Sequence, residues 1–342
     1  MEKKMEVIRL HGTGDLRENT ESVPEPGPGE VLIHVSSVGI CGSDLHWFED
    51  ASIGDARLTR PLILGHEFSG VVEDPQSTLD GQRVAVDPAI PCLECEYCLD
   101  GKPNFCERLH FAGHGEYDGA LREYLAWPAK NLHVLPDKIS NAEGALLEPL
   151  GVALHAIKLG KLHPGAAVGV FGVGPIGLMI VQLARLQGAD QILVTDRLSH
   201  RLDAALALGA NRGYLVSDDW DRREIWKATG GRGVDVAFEA AGDNQAVETA
   251  MEAVKPGGRV ILVGIPAQDW TAFTASTARR KGVTIKLSRR MIYTYPRAIQ
   301  LVTGGFIDLG RLVSKRFPLP DFKQAFKAAN ERQGLKTLID VS

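Results

Sequence analysis

The stretch from Val168 to Asp196, VGVFGVGPIGLMIVQLARLQGADQILVTD, decides the fold. It opens on an apolar run of strand type, turns through Gly172, Gly174 and Gly177, continues as a helix, and returns as a second apolar run ending in Asp196. The G-x-G-x-x-G spacing alone is weak, but strand, turn, helix and strand around it give it a mechanism. Gly172 permits the tight turn, and Gly174 lets the backbone approach a pyrophosphate at the positive end of the helix. Gly177 allows helix and strand to pack closely. Asp196 follows Gly177 by 19 residues, the place of a carboxylate that holds a ribose. An acid there favours NAD over NADP, because it repels an extra phosphate. Arg197 and Arg201 weaken that preference, since either can meet one. The bland alternative is a glycine-rich turn with Asp196 capping the next helix.

Outward from this unit the alternation continues. Strands are expected at 168–171, 191–195, 213–216, 234–238, 259–263 and 283–287, mostly with helical stretches between them. Six such strands predict an α/β doubly wound parallel sheet of Rossmann type. The expected cofactor contacts are Gly172, Gly174, Pro175, Ile176, Gly177, Asp196, Arg197 and Arg201, with Val263 and Ser288 at later strand ends. Upstream, SNAEGALLEPLGVALHAI reads as a helix with Ser140 or Asn141 as N-cap. Before it, the turn-rich PEPGPG leads into EVLIHV, and short strands at Gly70–Glu73 and Arg83–Val86 complete an irregular β domain. From about residue 290 the rhythm stops. The tail reads as loop, helix and final strand, and the first domain is its expected host.

Bulk properties limit the function classes. A chain of 342 residues suggests two domains. A net charge of −5 with scattered Lys and Arg argues against nucleic-acid or anionic-membrane surfaces. MEKKMEVIRLHGTG lacks an apolar run of signal-peptide length, so a cytoplasmic location is expected. The most apolar segment, AAVGVFGVGPIGLMIV, is short and broken by four glycines and a proline, so no membrane span is expected.

Five cysteines in such a chain are a poor disulfide framework. Cys92, Cys95, Cys98 and Cys106 follow C-x2-C-x2-C-x7-C. Four thiolates on one loop satisfy a tetrahedral zinc and leave no open position, which is a structural site. An iron–sulfur cluster or a redox C-x-x-C pair is the rival reading. The loop carries Glu94, Glu96, Asp100 and Glu107 against Lys102 and Arg108, which does not suit nucleic acid.

The fifth cysteine, Cys41, stands in GICGSDLH with Ser43 and His46. LILGHE supplies His66 and Glu67, and ALLEPL supplies Glu148. One thiolate, one imidazole and one carboxylate leave a zinc position open, and open zinc sites are catalytic. Singly, Cys41 reads as a small buried hydrophobe, His66 as a core residue, and either glutamate as a helix cap.

With GICGSDLH, LGHE, the four-cysteine loop, LLEPLGVALHA, GVGPIG with VTD, and EAAG together, the chain resembles the zinc-dependent medium-chain dehydrogenases along essentially its whole length. HWFEDASIGD, the glutamate of LLEPL and RRMIYTYPRAI resemble the sorbitol (L-iditol) dehydrogenase branch. The resemblance implies a GroES-like β-barrel catalytic domain from residues 1–148 and 290–342, and a Rossmann domain from 149–289. It implies a catalytic zinc on Cys41 and His66, a structural zinc on the four-cysteine loop, and NAD. Where the alcohol dehydrogenase branch has a third cysteine, this chain has Glu148. Which of Glu67 and Glu148 is the direct ligand stays open.

The resemblance also implies a proton relay through Ser43 and His46, whose spacing of three puts both on one side of a helical turn. It implies substrate contacts at Phe111, His114 and Arg290, with Arg289 as a neighbour one residue away. The implied reaction is oxidation of a secondary hydroxyl of a polyol of sorbitol, xylitol or L-iditol type to a ketose. L-threonine 3-dehydrogenase and a butanediol or secondary-alcohol dehydrogenase are the nearest rivals. A non-catalytic nucleotide-binding protein of the same fold is the remote one. By family analogy the expected assembly is a homo-tetramer or homo-dimer.

Overall fold

The computed structural model describes residues 3–217 and 220–342. The chain divides into two units, residues 1–149 with 295–342, and residues 150–294.

In the first unit the strand Glu30–Gly39 is the hub. It pairs antiparallel with Glu67–Val72 and with Tyr124–Pro128, and its last residues pair with Lys336–Asp340. The sheet runs Leu132–Val134, Arg83–Val86, Glu67–Val72, Glu30–Gly39, Lys336–Asp340, Val313–Pro318. The tail therefore contributes two adjacent strands to this sheet, with helix Phe322–Asn330 between them in sequence. A smaller sheet joins Asp15–Ser22, Lys4–Gly12 and Leu62–Ile63. The core between these elements holds Ile8, Leu10, Val35, Trp47, Leu64, Phe68 and Phe326, all buried. Each such side chain contributes about 1.5–3 kcal/mol by leaving water.

Glu30–Gly39 gives way to helix Gly42–Asp50 at Cys41, whose backbone is extended. Asp44 turns back and accepts the Cys41 N–H at 2.9 Å, which starts the helix. Ala51, in the left-handed region at φ 49°, ends it. The expected helix after Ser140 is two helices, Asn141–Ala145 and Leu147–Gly160. Ser140 caps the first through a reciprocal pair with Glu143. Glu148 lies in the first turn of the second. Tyr295 is fully buried, donates to the Val86 carbonyl at 2.7 Å, and stacks on His133 at 4.4 Å between ring centroids.

The second unit is one parallel sheet of six strands. In space they run Arg212–Leu215, Gln191–Asp196, Ala167–Phe171, Val234–Glu239, Val254–Leu262, Thr284–Leu287. This is the doubly wound order, with the chain reversing direction of growth at Ala167–Phe171. Leu193, Phe171, Ala237, Met251 and Val260 are among its buried core. Residues 288–294 stay with this unit. The Ser288 N–H donates to the Leu262 carbonyl at 2.8 Å, and Gly151 leaves no room for a Cβ against Met291 and Thr294.

Candidate active site and cofactor turn

The end of one strand, the start of its neighbour and the helix between them in sequence bring a set of donors together. Glu67 lies directly across the sheet from Gly39, two residues before Cys41. The ligand atoms of Cys41, His66 and Glu67 all lie within 4.8 Å of one another. His66 and Glu67 are buried and Cys41 is half-buried. Behind them stands Asp44, 1% exposed. Its Oδ1 lies 3.4 Å from His66 Nδ1 and accepts the Gly65 N–H at 3.3 Å. A carboxylate on one ring nitrogen leaves the other, Nε2, to face a metal. Burial raises and His66 lowers the Asp44 pKa, and the net shift is downward. Burial works against a charged imidazole at His66, yet Asp44 and Cys41 hold its pKa well above the usual range.

Ser43 Oγ lies 3.4 Å from His66 Nε2, and His46 is half-buried on the same helix. The Phe111 ring lies 5.3 Å from the His66 ring, and His114 packs between Phe111 at 6.5 Å and Trp47 at 5.6 Å. Glu148 is buried, and burial pushes its pKa up to about 7, with Glu67 and Asp87 adding to the rise. Glu67 is paired with the Lys336 ammonium from the final strand. One thiol and three carboxyl groups thus share a buried space with one lysine and one imidazole, a surplus of negative charge that suits a divalent cation.

The four-cysteine loop also fits a metal. Its four sulfurs lie within 4.8 Å of one another and none is in a disulfide. The Glu94 N–H, followed by that of Cys95, holds Cys92 down to about 6, although burial acts the other way. The Cys95 N–H reaches Cys92 Sγ at 3.3 Å and the Cys92 N–H reaches Cys106 Sγ at 3.3 Å. Backbone donors aimed at sulfur favour thiolates.

In the second unit the glycine turn has the geometry its spacing requires. Gly172 sits at φ 92°. A Cβ on Gly177 would collide with the Gly172 carbonyl oxygen. Gly174 is the N-cap of helix Pro175–Leu186, with Ile176 and Gly177 in its first turn. Asp196 ends its strand 8% exposed, and accepts the Val173 N–H at 2.9 Å and the Leu198 N–H at 3.0 Å. Leu198 is the N-cap of the next helix, so the carboxylate shapes both turns. Arg201 Nη1 lies 3.9 Å from Asp196 Oδ2 and would touch a Cβ on Gly174. Arg197 is drawn instead to Asp243 at 3.1 Å and Gln245 at 2.9 Å. Val263 follows its strand, and its N–H donates to the Glu239 carbonyl. The buried Ser288 hydroxyl finds no hydrogen-bond partner among the described residues, an opening that suits a bound cofactor. Arg290 belongs to this second unit, in the left-handed region at φ 54°.

Three residues escaped the sequence reading. Asp44 carried a signal, an acid three residues after an N-cap inside GICGSDLH. Glu239 carried a weaker one in EAAG. It is buried, and its Oε1 accepts the N–H groups of Ala241 and Gly242, both at 2.7 Å. Lys336 carried none, because nothing local marks a lysine whose partners lie about 300 residues away.

Comparison with known proteins identifies the family. Residues 27–137 match the alcohol dehydrogenase GroES-like domain family, and residues 175–304 match the zinc-binding dehydrogenase family. The chain is 36% identical over 331 residues to a sorbitol dehydrogenase of Bacillus subtilis (strain 168), covering 96% of this chain and 94% of that one. It is 36% identical over 340 residues to "Probable D-xylulose reductase A" of Emericella nidulans, covering 96% and 94%. Among solved structures, an Escherichia coli oxidoreductase/dehydrogenase of unknown specificity superposes with TM-score 0.93 at 33% identity, covering 99% of this chain and 100% of that one. L-idonate 5-dehydrogenase of E. coli K-12 does so with TM-score 0.90 at 29% identity, covering 100% and 99%. A "putative zinc-binding dehydrogenase" of Sinorhizobium meliloti 1021 bound to NADP gives TM-score 0.88 at 28% identity, covering 99% and 100%. With glycine turn, thiolate loop and mixed-donor cluster all in one chain of that length, the protein belongs to the zinc-dependent medium-chain dehydrogenases, on the sorbitol dehydrogenase-like side of that family.

Proposed function

We propose that the protein oxidises a secondary hydroxyl of a polyol, of sorbitol, xylitol or L-iditol type, to a ketose with NAD as hydride acceptor. The observation that carries this reading is the mixed cluster of Cys41, His66 and Glu67 with Glu148 beside it. A closed set of four thiolates leaves no place for substrate, whereas this one does. The relatives named as sorbitol dehydrogenase and D-xylulose reductase support a polyol over a simple alcohol.

Cys41, His66 and one of the two glutamates would hold the catalytic zinc, and Cys92, Cys95, Cys98 and Cys106 the structural one. A bound zinc supplies Lewis acidity toward a hydroxyl oxygen. The remaining work falls to side chains. Asp44 fixes the His66 tautomer and ring orientation. Ser43 accepts the substrate hydroxyl proton and hands it to His46, which releases it to solvent. Phe111 and His114 line the substrate side of His66, and Arg290 hydrogen-bonds the further hydroxyls. Gly172, Gly174 and Gly177, with Pro175 and Ile176, receive the pyrophosphate, and Asp196 the ribose. Asp196 with Arg197 already engaged favours NAD over NADP. The reading extends to a cytoplasmic homo-dimer or homo-tetramer.

The test is cofactor reduction with sorbitol, xylitol, galactitol, L-threonine and 2,3-butanediol, NAD and NADP in parallel, and zinc measured on the same sample. Polyols turned over with NAD at about two zinc per chain is the expected result. Preference for threonine or butanediol would replace the substrate class. Full activity with no zinc beyond the four-cysteine loop would overturn the mechanism.

A further inference from the structure

Lys336 lies against Glu67, one of the candidate metal ligands. Its side chain is 3% exposed and that of Glu67 is 1% exposed. The ammonium pairs with Glu67 Oε2 and donates to the Ile40 carbonyl at 2.9 Å, one residue before Cys41. Space for the pair is reserved by the backbone. A Cβ on Gly39 would collide with Glu67 Oε2 and come within 3.0 Å of Lys336 Cε. The chain thus packs the Lys336 side chain against one of three side chains whose ligand atoms lie within 4.8 Å of one another. Like charges repel, so this arrangement lowers the affinity of the cluster for any metal ion. A carboxylate already shared with an ammonium is also a weaker donor, and a less neutralised ion is a stronger acid toward a hydroxyl.

We propose that Lys336 is a positioning residue of the metal centre: it holds Glu67 by Oε2, keeps that carboxylate from giving its full charge to the ion, and so sets how fast the ion exchanges. The inference rests on the zinc reading above.

The experiment uses the full-length protein loaded with zinc, and separately with cobalt(II). Metal release to a coloured chelator is followed for wild type, Lys336→Arg, Lys336→Met and Lys336→Gln. Wild type must first release two ions per chain in separable phases. A single phase assignable to the four-cysteine loop defeats the zinc reading itself, whatever the variants do. Given two phases, Lys336→Met is expected to slow release from the mixed site at least tenfold, and Lys336→Arg to leave it near wild type. The visible cobalt bands shift in Lys336→Met and not in Lys336→Arg. The slowing shrinks when Glu67→Gln is added, because the lysine acts through that carboxylate. Lys336→Gln removes the charge but keeps a donor toward Ile40, and serves where the methionine variant does not fold. Unchanged or faster release in a folded, uncharged variant overturns the proposal. So does slowing of equal size with Glu67→Gln present.

Discussion

Ser43 and Asp44 are adjacent in sequence and divide two kinds of work. Ser43 faces His66 Nε2 and Asp44 faces Nδ1. Replacing Ser43 by Ala is expected to lower kcat about 100-fold or more with zinc content unchanged, the signature of a lost proton carrier. Steady-state turnover with elemental analysis of the same sample checks it, and unimpaired turnover would remove Ser43 from the relay. Asp44→Asn should instead weaken metal binding about 10–100-fold, read by chelator competition, because the imidazole loses the carboxylate that orients it. A third residue acts on stability. Burial lowers the His133 pKa from its ordinary 6.5 to about 4. The unfolded chain therefore takes up this proton first as pH falls. The His133 contribution is intact above pH 6.5 and is lost progressively down to about pH 4. His133→Phe keeps the stack on Tyr295 and removes the proton, so its melting temperature should fall less than wild type between pH 7 and 4.5.

At the scale of elements, legibility followed locality. The six parallel strands were readable because each is an apolar run between turn residues, and the glycine turn because three residues within six positions make it. The strand Val313–Pro318 was not, since RFPLP ends it in prolines and only two of its residues are half-buried. The break at Leu146 was missed because ALLEPL keeps a helical apolar pattern through it. In the candidate site, the cysteines, His66 and the glutamates were legible by chemistry and spacing, whereas Lys336 depended on sheet pairing. The thiolate loop has little core of its own. Of residues 92–106 only Pro103, Asn104 and Cys106 are buried. Removing its metal should therefore open this loop first. Hydrogen exchange at 92–106 is expected to rise on mild chelation while the sheet amides stay protected. Glu239 is the counterpart in the second unit. Glu239→Ala removes the acceptor of the Ala241 and Gly242 N–H groups, at about 0.5–1.5 kcal/mol each. Urea unfolding should show that loss, and NADH titration a weaker affinity, because the Ala241 turn abuts Gly172.

For the whole molecule, composition restricted more than it specified. A charge of −5 spread over 342 residues excludes little beyond polyanion partners. Among the described residues no helix is long and apolar enough to cross a membrane. What composition does not show is that one unit is continuous in sequence and the other is interrupted by it. Strand Lys336–Asp340 pairs with Ser37–Gly39 only after the chain has travelled through all of residues 150–294. Closing so long a loop is entropically slow. During synthesis on the ribosome, the continuous unit can fold behind the exit tunnel while the earlier segment waits with an unpaired strand edge. Until residue 336 emerges, nascent chains would expose Glu67 without its counter-ion. Zinc delivered in that interval would meet a pocket more grasping than the mature one.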